Sequence, residues 1–434
     1  MPVIGNKRGH QGYFGSVLWK NVAANFAGAA ANGTISILGL TQYVRIYGLQ
    51  NWGHIAALVV FVNLLMLTEV GATQIYISAF NSSSAKGRTF EQYFGLMIAL
   101  GGCTTVCAIL GLVCLSKLGF KGGIIAQGNK QVFVAVAFYF ANFLNNFLYA
   151  HMSAAQRQLA MNARQTAFLL LKTMGTLAYA YWISTEVSGY FVIFSVIGLL
   201  ELVTNVLSTK DQEYTFQGVV NGVANALTLF RAISGISIGI VIGILVANLD
   251  KIYLSSVSEA AVFAVYSVTF TVAMYFMQLQ YPVMRAFFPV IAKLYHGDDT
   301  HAKRKVVWLQ LLIINVLIVP PLSVAFYFDG YILSVFALDV QTYPDVNLLF
   351  RMLLICVYLN SVYHIFYQQM MTSGASGYIV RINIVCLISS GVILLVFGGT
   401  YTILSGGFAW LLMCAIQLLG GFIFMSNRWQ NVDG

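Results

Sequence analysis

Long uncharged apolar runs alternate with short polar turns along almost the whole chain. The clearest case is 235–289, GISIGIVIGILVANLDKIYLSSVSEAAVFAVYSVTFTVAMYFMQLQYPVMRAFFP, two apolar runs around one polar turn. The first is uncharged up to Ala247 and then sets Asp250 beside Lys251. The second closes on Pro282, Arg285 and Pro289. A helix needs about 20 apolar residues to cross the hydrocarbon core of a bilayer, and counting such runs predicts about twelve spans. They fall at 17–44, 54–80, 92–116, 131–151, 166–184, 189–208, 232–256, 261–288, 306–328, 347–372, 378–397 and 401–425. The pattern therefore predicts an all-α polytopic membrane protein. Its organisation would be an N-terminal tail 1–15, a first lobe 16–208, a linker 209–231, a second lobe 232–425 and a tail 426–434, with six helices in each lobe.

Composition sharpens that reading. Of 434 residues, 59% are hydrophobic and 9% charged, and the mean hydropathy is +0.78. A soluble domain carries roughly 25% charged residues, so a soluble enzyme is excluded. The net charge of +9 is spread over loops, which reads as a topology signal and not as a nucleic-acid surface. One side collects Lys7, Arg8, Lys86, Arg88, Arg157, Arg164, Lys210, Lys293, Lys303, Arg304, Lys305 and Arg428. The other holds Glu186, Glu259, Asp329, Asp339 and Asp345, with Lys117, Lys121 and Lys130 against the trend. Excess positive charge marks the cytoplasmic side, so both termini are expected there. The run after Lys7 and Arg8 is too long for a cleaved signal, and the first helix is expected to stay as an anchor. Cys103, Cys107, Cys114, Cys356, Cys386 and Cys414 lie in apolar segments with no CxxC spacing, so neither a disulfide, a metal nor a cofactor is expected.

Charges at or near helix ends carry the candidate chemistry. Bases stand at Lys20, Arg45, Lys172, Arg231, Lys251, Arg285, Arg351 and Arg381. Long cations near a boundary snorkel to headgroups, which suits Lys20, Arg231, Arg351 and Arg381. For Arg45 and Lys251, snorkelling and a place in a wet cavity stand side by side. Arg285 lies between two prolines in a helix expected to kink, as a gate, a phosphate ligand or a cytoplasmic anchor. Lys172 lies deeper. It and Glu201 sit roughly 10 Å in from the same face on consecutive antiparallel helices, so the two are expected to meet. The spans also carry Asn and Gln in number, among them Asn145, Gln280, Asn360 and Gln368. Each reads first as an interhelical hydrogen bond, and together they favour a wet interior. Gly235, Gly239 and Gly243 mark close helix packing. VRIYG at 44–48 is echoed by DKIYL at 250–254, each ending the first helix of its half, as in a transporter built from parallel repeats.

At these residues the chain resembles the Wzx-type O-antigen flippases of the multidrug/oligosaccharidyl-lipid/polysaccharide exporter superfamily. The first helix ends Arg45-Ile46-Tyr47-Gly48 with Gly53 following, like the family's Arg-x-x-Gly pattern. Leu67-Thr68-Glu69-Val70-Gly71 is similar to its Leu-Asp-Leu-Gly, with the acid moved one place. Asp250-Lys251 matches an Asp-Arg/Lys pair, Phe263, Val265 and Tyr266 are a loose version of a Gly-Tyr-Tyr opening, and Pro282 and Pro289 match its proline spacing. The 331–374 stretch resembles the family's ninth-to-tenth connection, so the likeness covers most of the chain.

The resemblance implies two six-helix lobes around a central cavity that alternates its opening. It implies a flippase, not an enzyme, that moves an undecaprenyl-pyrophosphate-linked oligosaccharide, an O-antigen unit or similar, to the periplasmic leaflet of a bacterial inner membrane. Arg45, Lys172, Lys251 and Arg285 would serve the substrate, and Glu69 and Asp250 would couple an ion. The partners would be membrane lipid and, in the cell, a polysaccharide polymerase and a chain-length regulator, with no nucleic acid. Export of an anion agrees with the membrane potential, which favours each outward negative charge by about 2.3 kcal/mol per 100 mV. Three other functions stay open, one of them a purely structural membrane subunit. A drug/cation antiporter of the same superfamily would have an acidic cavity. A polymerase or ligase of the same pathway would have a long basic periplasmic loop, whereas the 329–346 connection here is short and acidic. Twelve spans predict that topology reporters fused at Asp298 and Asp339 report opposite sides of the membrane; the same side at both overturns this topology.

Overall fold

The computed structural model describes residues 8–69, 71–83, 85–117, 129–209, 215–295 and 300–433. Of the expectations above, Lys7, Val70, Lys121, Lys210 and Asp298, and the side chains of Arg8, Lys20, Lys117, Gly235, Gly239, Arg285, Pro289, Lys293 and Arg428, lie outside the described residues. Hydrocarbon offers no partner for backbone N–H and C=O groups, so the apolar runs close their hydrogen bonds as helices. The order is α1 (Arg8–Met66), a 3₁₀ turn (Leu67–Glu69), α2 (Ala72–Ser82), α3 (Lys86–Lys117), α4 (Asn129–Ala154), α5 (Gln158–Trp182) and α6 (Val187–Ser208). After the short α7 (Phe216–Ala224) come α8 (Ala226–Val246), α9 (Leu249–Val257), α10 (Ala260–Met277), α11 (Gln280–Tyr295), α12 (Thr300–Tyr327) and α13 (Asp329–Val335). The chain finishes with α14 (Asp345–Thr372), α15 (Ser376–Tyr401) and α16 (Ile403–Asp433).

These helices make twelve spans in two lobes of six. The first span and the outer half of the second are one continuous α1, turned sharply at Gly48, whose φ of 71° and ψ of 163° lie outside the helical region and favour glycine. The second span resumes as α2, the seventh is α8 with α9, and the eighth is α10 with α11. The start of α1 and the end of α16 belong to one face, the near face; Gly48 lies at the far face. The seventh span begins at Ala226 and not at 232, because the 209–231 link is itself partly helical as α7. The eleventh and twelfth spans meet at Thr402, not across 398–400. Gly398 looks like turn chemistry but lies within α15, and its missing side chain makes room for the ring of Tyr253.

Each lobe has its own apolar core, and α1 belongs to both. Tyr43, Tyr47, Ile55 and Leu58 enter the first core beside Tyr76, Tyr139, Phe147 and Phe191. Leu40, Val44, Ala56, Ala57 and Val60, on the opposite side of the same helix, enter the second core beside Val265, Tyr266 and Phe350. The seam between the lobes runs along α1 and α10. It is tightest at Gly53, where a Cβ would collide with the backbone carbonyl of Ala260 at the start of α10. Such contact between backbones is the usual use of small residues in membrane helices. In the other direction, Ala226, Leu229 and Phe230 at the start of α8 pack into the first core.

The seam predicts a contrast between two glycines. Gly53→Ala should lower thermal stability in detergent by several degrees, as forced displacement of packed backbone costs about 1–3 kcal/mol. Gly33→Ala, with nothing near the added carbon, should leave the melting temperature in place. Equal melting of both variants and parent would contradict the tight seam.

Candidate functional site

Two spans are broken in the same place, one in each lobe. Eighteen residues follow the Gly48 kink before the second span leaves the α-helix at Met66, and α10 likewise runs 18 residues to Met277. At 1.5 Å per residue both breaks lie about 27 Å from the far-face end of their span, near its middle. In the second span the chain passes through the Leu67–Glu69 turn and restarts at Gly71, which is left-handed with φ 71°. In the eighth, Gln278 and Leu279 form a turn held by 3.1 and 3.2 Å bonds to the carbonyls of Tyr275 and Phe276. Pro282 gives the cause: it has no N–H to return to the Gln278 carbonyl four residues earlier. The kink expected around Arg285 is therefore a break just upstream of Pro282.

Both inner segments, α2 and α11, point their N-termini at the breaks. The first residues of a helix leave N–H groups unbonded and carry partial positive charge. At α2 that end is met by Glu69, whose carboxylate accepts from the Thr73 hydroxyl, while Thr68 bonds the Leu65 carbonyl at 2.7 Å and the Tyr139 hydroxyl at 3.0 Å. At α11 the buried Gln280 donates to Asn360 at 3.5 Å and keeps its own carbonyl oxygen unbonded. Beyond the breaks α2 packs chiefly on α3 and α4, and α11 chiefly on α12 and α14.

The bases singled out in the sequence fall in four separate places. Lys172 of α5 meets Glu201 of α6 with Nζ 2.5 Å from Oε2, both side chains buried inside the first lobe. The Tyr149 hydroxyl of α4 donates to the other carboxylate oxygen, and Asn205 donates to Asn145 at 2.9 Å one turn further on. Lys251 lies in the second lobe, 3.4 Å from the Asp250 carboxylate and 3.0 Å from the Ala247 carbonyl. Its ammonium stands 3.6 Å from the Phe270 ring centre and 5.3 Å from that of Trp410, a cation–π cage. Asp250 is buried in the first turn of α9 and accepts from the Tyr266 hydroxyl. Arg45 is exposed near the far face and crosses the seam, donating from Nη2 to the Val335 carbonyl at 3.3 Å. Arg285 belongs to α11, five residues after its start.

Lys172 and Lys251 are thus each balanced by a carboxylate within their own lobe. The sequence pointed to the charges and to a kink near Arg285, but not to the break at 67–71; Gly71 and the repeat were the available signals there. Much of the Asn and Gln content is spent between helices, as in the 3.0 Å Gln310–Gln368 and 2.6 Å Gln368–Met284 carbonyl bonds.

No family model matches the chain, and no curated protein matches it in sequence. Solved structures match it over nearly its whole length. The lipid II flippase MurJ, in an inward closed conformation, has a TM-score of 0.73 at 10% identity over 94% of this chain and 87% of its own. An inward-facing multidrug resistance MATE family transporter of the MOP superfamily gives 0.67 at 13% over 93% and 98%. The eukaryotic MATE transporter AtDTX14 gives 0.68 at 13% over 94% and 95%. The chain has the fold of these transporters; at such identities the fold is what the likeness shows.

The Lys172–Glu201 pair predicts a rescue. Lys172→Glu or Glu201→Lys alone leaves a buried charge without its partner, a cost of about 3–5 kcal/mol, and should reduce folded protein in the membrane severalfold. The double swap should restore much of it. Full expression of both single variants would show that the pair holds nothing together.

Proposed function

We propose that the chain is a flippase that carries an undecaprenyl-pyrophosphate-linked oligosaccharide, an O-antigen unit or similar, from the cytoplasmic to the periplasmic leaflet of a bacterial inner membrane. The observation that carries this reading is the pair of mid-span breaks at Leu67–Gly71 and Gln278–Leu279, one per lobe in matching positions. Transporters built from repeats bind substrate at such discontinuous helices, and half-helix N-termini face its anionic groups. The positive end of α11 suits a pyrophosphate, while that of α2 is already met by Glu69. Arg285, on the inner segment beyond the second break, is the base we assign to the headgroup, and Glu69 the group that couples an ion. Lys172 and Lys251, with Asp250, fix helices within their lobes. Arg45 fastens the far face while the near face loads. A polysaccharide polymerase and a chain-length regulator would receive the product, and the chain itself would catalyse no covalent step.

One observation favours a second reading, a drug/cation antiporter. With Lys172 and Lys251 already neutralised, Glu69 is the charge at the first break, and two of the structural neighbours named above are a multidrug transporter and a MATE transporter. Expression in a strain that lacks its own O-antigen flippase separates the two. Restored surface polysaccharide is expected, with Arg285→Ala reducing it about tenfold at unchanged protein level and Arg285→Lys retaining more. Drug resistance without any restored polysaccharide would replace the flippase by the antiporter.

A further inference from the structure

We propose that the linker helix α7 is an interfacial anchor, seated on α3 and buried along one edge in the headgroup–acyl boundary of the near leaflet. Successive residues of a helix turn by about 100°, which divides α7 into three faces. The first is Gly218, Val219, Gly222 and, past the bend at Asn225, Ala226. Here a Cβ on Gly218 would strike the Glu91 carboxyl group and one on Gly222 the Glu91 backbone, and a Cβ on Gly95 would strike Gly222 in return. This face is docked against α3. The second face is Phe216, Val220 and Val223, continued by Leu227, all exposed, with Phe216 84% exposed. The third is Gln217, Asn221 and Asn225, also exposed, with Asn221 and Asn225 joined by a 2.9 Å bond. A helix with one packed, one apolar and one polar edge fits a place where protein, lipid and water meet.

Its depth follows from α3. That helix starts at Lys86, and Lys86 and Arg88, both exposed, belong to its first turn, where bases reach headgroups. Glu91 comes one turn deeper. Its Oε1 accepts from the Thr215 N–H at 2.6 Å and the Thr215 hydroxyl at 2.9 Å, and Thr215 in turn caps Gly218 at 3.0 Å. The carboxylate therefore sits at the positive N-terminus of α7 and fixes the height of the helix just inside the headgroups. The apolar face runs on through Leu227 into α8, the seventh span. Acyl chains are thus the occupant the surroundings supply. A linker held in this way keeps the first residues of α8 in the first core while the rest of α8 and α9 belong to the second lobe.

The test is accessibility of nitroxide labels on the full chain in vesicles of phosphatidylethanolamine and phosphatidylglycerol. With the six cysteines replaced by alanine, labels on Phe216→Cys and Val220→Cys should collide with oxygen more often than with a water-soluble nickel complex. A label on Asn221→Cys should show the reverse, the ratio differing severalfold. In the chain with all its cysteines, Phe216→Trp should add fluorescence that brominated lipid quenches, and Asn221→Trp should not. Equal nickel access at 216 and 221, or no access of either reagent at 216 because protein covers it, overturns the proposal, as does the same lipid quenching at both tryptophans.

Discussion

The structure depends on one backbone-to-backbone contact, the approach of Gly53 to Ala260 where α1 crosses α10. Glycine lets the helices come close enough for α1 to present one side to each core, Tyr43 and Ile55 to the first and Val44 and Ala57 to the second. Because this seam lies next to the Gly48 turn, it joins the lobes at the far face. The Arg45 bond to the Val335 carbonyl reinforces the same end.

Charge is distributed to suit this division. An ion inside a membrane is costly unless paired, and Lys172 with Glu201 and Lys251 with Asp250 meet the cost locally. Each pair is completed by a tyrosine, Tyr149 in one lobe and Tyr266 in the other. Asp329 with Arg351, at 2.6 Å, does the same at the far face, on the α13 segment that Arg45 reaches. The Lys172–Glu201 and Asp329–Arg351 pairs therefore hold helices within lobes, while the Gly53 contact and the Arg45 carbonyl bond join one lobe to the other. The second kind involves no buried charge and can be released at smaller cost.

The chain by itself determined the class, the twelve helices and the division into halves, because long uncharged runs in lipid have no alternative to helix. It also determined the Lys172–Glu201 contact: equal depth on consecutive antiparallel helices leaves two opposite charges little choice of partner. Tertiary structure decided the rest. Whether Lys251 faced a cavity or a cage depended on Phe270 and Trp410, which lie 19 and 159 positions away and meet it through packing alone. Arg45 found a carbonyl 290 residues distant, and Gly398 proved to make room for Tyr253 instead of making a turn. The two breaks were written in Gly71 and Pro282, but their equal depth was not. A residue type can weaken a helix at one point, and only the packing of twelve helices fixes what that point faces.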